Sequence, residues 1–112
     1  MNDTDIYLLF SAQFRMIDDN LDDLVKKAEG FVQANAIIDS WKQANLNYLK
    51  ARNKIFSTHA EQIADLVKHF DDSQKSIKKA LEDLKGGAAT IGKVTKVISA
   101  AVDAGKKLQE AV

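Results

Sequence analysis

The chain has 112 residues, sixteen basic and sixteen acidic side chains and a formal net charge of zero; 46% of its residues are hydrophobic and 29% are charged, with no cysteine and no proline. That composition excludes disulfides and cysteine-ligated metal centres and lacks the basic excess of a general polyanion binder, so no nucleic-acid partner is expected. It supplies enough apolar residues for the core of one small domain spanning 1–112.

The first ten residues carry Asp3 and Asp5 where a secretory leader needs positive charge, and their apolar run from Ile6 to Phe10 is short. No window approaches the roughly 18 uncharged apolar residues of a membrane-spanning helix. The expected setting is cytoplasmic, with leaderless export as the alternative.

The absence of proline favours helix throughout. Asn2, Asp3 or Thr4 can cap the first helix, with acids in a first turn that suits the helix dipole. Phe10, Phe14, Ile17, Leu21, Leu24, Ala28 and Phe31 then recur in alternating steps of four and three, the seam of an amphipathic helix. Lys26 and Lys27 before Gly30 mark its end.

A second stripe runs through Ala34, Ile38, Trp41, Ala44, Tyr48, Ala51 and Ile55, one residue out of register with the first. The slip at Gly30 allows two readings: a chain reversal, or a bend within one continuous helix whose apolar side a second chain would have to cover. Thr58 with Glu61 three residues on fits a capping box for the third helix. Its stripe is Ile63, Leu66, Phe70, Ile77, Leu81 and Leu84, with Ser73 or Gln74 as a weak layer. Gly86-Gly87 ends it, and Ile91, Val94, Ile98, Ala101, Gly105, Leu108 and Val112 form the fourth.

The predicted segments are about 4–29, 31–56, 58–85 and 88–112. This is an all-α chain, an antiparallel four-helix bundle or a long helical hairpin completed by dimerisation. Residues 1–30 hold seven acids and three bases, whereas 31–56 hold one acid and four bases, which favours pairing of the first two helices. Trp41 and Phe70 are expected in the core. Ala101 and Gly105 form a small-x3-small step that admits close helix approach.

No catalytic motif stands out, and neither a catalytic residue nor a cofactor is assigned. Glycine-rich phosphate loops and Gly-x-Ser-x-Gly frames are absent. Glu61, Asp65 and His69 recur at spacings of four on one helical face and are the sole metal candidate; an exposed ion-pair ladder accounts for the same pattern. The paired acids, such as Asp18-Asp19 and Asp22-Asp23, fall between seam positions, where a solvated face is expected.

Apolar residues beside the seams widen several stripes beyond what a narrow bundle interior needs. The widest belongs to 31–56, so a homodimer interface is expected there, with Ile37, Leu46, Leu49 and Phe56 as its candidates. The favoured expectation is a non-enzymatic interaction or adaptor protein that self-associates and binds a protein partner. The alternative is a membrane-associating or membrane-active protein, using the cationic amphipathic segment 88–112 with Lys93, Lys96, Lys106 and Lys107.

The chain length, the lack of cysteine and the mid-chain Trp41 resemble the small secreted helical-hairpin proteins of the WXG type. The chain departs from that pattern at Lys42-Gln43, where the turn glycine is missing, and has no Tyr-x-x-x-Asp/Glu element near Val112. No family is assigned on these features and no functional residue is carried over.

Overall fold

A computed structural model describes all 112 residues and is all-helical, with no strand. Four helices, α1 (Asp3–Lys27), α2 (Phe31–Ala51), α3 (Ala60–Lys85) and α4 (Ile91–Glu110), pack into one bundle, and a single 3-10 turn (Phe56–His59) precedes α3.

Asn2 caps α1 as expected. Its side chain accepts from the Asp5 N–H at 2.8 Å, while Asp5 accepts from the Asn2 N–H at 3.3 Å. Gly30 is a chain reversal, which removes the reading of one continuous bent helix. Its φ of +101° is open to glycine and strained for other residues, and α2 turns back along α1.

The predicted 31–56 helix stops at Ala51 instead. The following residues cross the end of the bundle, and Phe56 folds back into the core. The capping box at Thr58 does not form: its hydroxyl donates to the Ile55 carbonyl at 3.0 Å within the 3-10 turn, and α3 begins at Ala60 with no side-chain cap. The fourth helix starts at Ile91, not 88, because the Ala88 and Ala89 N–H groups still bond back to the Asp83 carbonyl. Thr90 is its cap, accepting from the Lys93 N–H at 3.2 Å.

Sequence neighbours α1–α2 and α3–α4 are antiparallel hairpins, but α2 also lies beside α4, while α2 and α3 are diagonal and do not touch. The α2–α4 side is parallel, since its contacts advance together: Gln33 near Gly92, Asn47 bonded to the Val102 carbonyl, and Lys54 bonded to the Val112 carbonyl. This follows from the diagonal crossing at 52–59, which brings α3 alongside α1.

The core has two apolar halves. One gathers Ile17, Leu24, Ile37, Ile77, Val94 and Ile98. The other, near the termini, gathers Ile6, Phe10, Phe56, Ile63, Phe70 and Leu108. Between them lie the buried amides Gln13, Asn47 and Gln74, one each from α1, α2 and α3. Stripe positions one, three and four of the sequence reading are buried or half-buried, apart from Phe31, which is exposed.

The second stripe is displaced. The buried ridge of α2 is Ile37, Ser40, Ala44, Asn47 and Ala51. Trp41 is half-buried rather than a core residue, because α2 faces α1 with its aromatics and α4 with its small and polar residues. Phe70 is fully buried, as expected. It packs at 4.6 Å between ring centroids on Phe10, in space that Gly105 leaves open.

Candidate functional site

The chemistry-bearing residues are scattered. Glu61, Asp65 and His69 all lie exposed along α3, and no three acidic or imidazole groups of the chain converge closely enough to share a metal ion. His69 borders a shallow concavity with Ser73 and Ser76, yet both hydroxyls donate to backbone carbonyls, Phe70 at 2.6 Å and Asp72 at 3.3 Å. An activated serine would instead have to donate to the imidazole. The largest concavity, about 400 Å3, is an open trough between α2 and α4 lined by Asp39, Ser40, Gln43, Asp103 and Lys106. None of these side chains is hydrogen-bonded to another across it.

The predicted interface residues separate into two sets. Ile37 and Phe56 belong to the bundle core and are unavailable to an outer surface, a correction to the expectation. An α2 in contact with both α1 and α4 has two sides to fill, and Ile37 fills one of them; Phe56 plugs the end of the bundle after the chain has left the helix. Leu46 and Leu49 remain on the outside, 43% and 47% exposed. Phe31 and Val32, at the other end of α2, are 88% and 87% exposed. By spacing, Phe31 belongs to the seam of the first helix. The reversal at Gly30 moves it to the outer side of α2.

Beside these apolar residues lies an aromatic row along the α1–α2 cleft. Tyr7 stacks on Tyr48 at 5.4 Å, Phe14 stacks on Tyr48 at 5.9 Å and reaches Trp41 at 6.3 Å. The Trp41 indole N–H donates to Asp18 at 2.9 Å, and the Tyr7 hydroxyl donates to Tyr48 at 3.1 Å. The two phenols are therefore inequivalent. Donating to Tyr48 holds the Tyr7 pKa above its ordinary value of 10.0, with partial burial acting the same way. Accepting from Tyr7, and then from Ser11, holds Tyr48 below it, and the charges of Arg15 and Arg52 act in the same direction. Both arginines of the chain thus stand near this pair. Tyrosine, tryptophan and arginine are the residue types that dominate protein interfaces. Trp41 and Tyr48 were legible as members of the second apolar stripe, but their pairing with Tyr7, Phe14 and Asp18 of α1 was not.

The segment proposed for membrane contact is committed elsewhere. Ile91, Val94, Ile98, Ala101, Val102 and Leu108 of α4 are all buried in the bundle, with Lys93, Lys96, Lys106 and Lys107 outside. No helix is long and apolar enough to cross a membrane. Compared with protein-family models, with curated proteins and with solved structures, the chain matches none.

Proposed function

We propose that this chain is a non-enzymatic interaction module that self-associates and engages protein partners through the outer side of α2. The observation that carries this reading is the exposure of Leu46, Leu49, Phe31 and Val32 on a helix whose inner face is already filled. Their burial against another protein would remove apolar surface from water at about 25 cal/mol per Å2. The neighbouring aromatic and arginine side chains suit the same use.

The scattered histidines and acids, and serine hydroxyls tied to backbone carbonyls, support binding over catalysis. The burial of α4's apolar face supports a protein partner over a lipid surface, because contact with lipid through that face would require the bundle to open.

Sedimentation velocity of Leu46→Lys and Leu49→Lys variants tests the reading. Both positions are exposed, so helix content should stay at the wild-type level while the associated species shrinks. Association unchanged in the double variant would remove α2 from the account.

A further inference from the structure

We propose that the side of the bundle formed by α1 and α2 is a self-complementary interface that docks, antiparallel, on the same side of a second copy of this chain. The proposal rests on the self-association reading above and adds its geometry.

Helical spacing defines the stripes on this side. On α1, Tyr7, Asp18 and Asp22 follow one another at steps of eleven and four; on α2, Phe31, Ile38 and Leu49 do so at seven and eleven. The hydrogen bonds Tyr7–Tyr48 and Trp41–Asp18 place these stripes at the outer mouth of the α1–α2 cleft.

Charge is polarised along the cleft. Toward the Gly30 turn lie the exposed acids Asp18, Asp19, Asp22, Asp23 and Glu29 against only Lys26 and Lys27, of which Lys27 is already paired with Asp23 at 2.8 Å. Toward the other end Arg15, Lys50 and Arg52 are exposed and belong to none of the five ion pairs of the chain, each of which joins residues four apart on one helix. The apolar residues are likewise divided, with Phe31 and Val32 at the turn end and Leu46 and Leu49 at the other.

A twofold axis lying in the interface, across both helices, lays α1 on α1 and α2 on α2 in opposite directions. Set between Asp18 and Asp19, it brings Arg15 level with Asp22 of the second copy. On α2 the midpoint between Phe31 and Leu49 is Ser40, next to Trp41, and Trp41 is hydrogen-bonded to Asp18. One axis therefore serves both helices: it sets Leu49 against Phe31 and brings Arg52 to the acidic Glu29 turn of the second copy. Charge complementarity and apolar matching select the same register. The molecule is 43 Å long and 22 Å wide, so one side offers on the order of 800 Å2, the share each partner contributes to a standard interface.

Paired charge reversal tests the register. Arg15→Glu with Arg52→Glu in one variant, and Asp22→Lys with Glu29→Lys in another, alter only exposed side chains. Each double variant should weaken the dimer about tenfold or more by sedimentation equilibrium, and mixing the two should restore the wild-type affinity as a heterodimer. The chain has no cysteine, so orientation can be read by oxidising Leu49→Cys with Phe31→Cys. The mixture should form a disulfide-linked heterodimer, and neither variant alone should form a homodimeric disulfide. Homodimeric disulfides, or no rescue on mixing, would overturn the proposal. A wild-type dimer indifferent to charge reversal would overturn this geometry alone, whereas a wild type that is monomeric at every concentration would remove self-association altogether.

Discussion

Gln13 is 1% exposed, and neither its amide nitrogen nor its amide oxygen has a hydrogen-bond partner. Gln74 of α3, also buried, has one satisfied group, donating to the Leu9 carbonyl, and one unpartnered oxygen. Burying an unpaired amide costs about 1–3 kcal/mol. Gln13→Met keeps the volume and removes that cost, so the denaturant midpoint should rise, by up to about 2 kcal/mol in stability. A fall would show that the amide is satisfied in solution. The tyrosine pair makes a second prediction. Tyr7 and Tyr48 are the only tyrosines of the chain, so ultraviolet titration should resolve two steps on either side of 10.0, with Tyr48 ionising first. The depressed Tyr48 stabilises the fold above the ordinary phenol range, a contribution lost as pH falls through its folded value. Tyr7, raised, stabilises it below that range and loses this as pH rises through its folded value. The two contributions oppose each other. Tyr7→Phe leaves Tyr48 as the one phenol, and its step should move up toward 10.0 because it loses its main donor; a step that stays where Tyr48 ionises in the wild type would contradict the assignment.

Helix identity was legible along nearly the whole chain, because apolar spacing and the lack of proline act on the same scale as a helical turn. Helix ends were less so. Gly30 and Gly86-Gly87 announced themselves through backbone freedom, but nothing between Ala51 and Phe56 marks a stop. The end of α2 comes from tertiary demand: the chain must cross the bundle so that Phe56 can enter the core. Buried polar residues were hidden for a related reason. Gln13 sits three residues after Phe10 and four before Ile17, a seam position by spacing, yet a stripe traced through apolar residues passes over it. Asn47 escaped likewise, and Ser40 with it. The small step at Ala101 and Gly105 was read correctly and has a measurable consequence. A Cβ on Gly105 would stand 2.8 Å from Phe70 Cε1 and 3.3 Å from Phe10 Cε1, two rings with no room to retreat. A Cβ on Gly92 meets the Gln33 amide nitrogen at 3.4 Å and the Thr90 hydroxyl at 4.0 Å. Overpacking costs about 1–3 kcal/mol, against about 1 kcal/mol gained from helix propensity. Gly105→Ala should therefore lower thermal stability while Gly92→Ala preserves or raises it. Equal effects would mean that α3 and α4 approach less closely than described.

The bundle as a whole is held by its apolar halves and not by surface charge, since every ion pair is local to one helix and exposed pairs contribute little. Arg15, Lys50 and Arg52 stay outside every ion pair and free for an external role, while the candidate surface was only half legible. The apolar excess of 31–56 could be seen in the sequence. Which of its members face outward depended on the parallel α2–α4 contact, which claims Ile37, and on the crossing that claims Phe56. Only Leu46 and Leu49 of the four expected residues remain for a partner. The aromatic row and the two arginines joined them once α1 was placed beside α2. Light scattering over a concentration series reads self-association through this side without any substitution. The mass should climb from 12.4 kDa toward twice that value as concentration rises, and fall back when salt is added. A mass of 12.4 kDa at every concentration would contradict it.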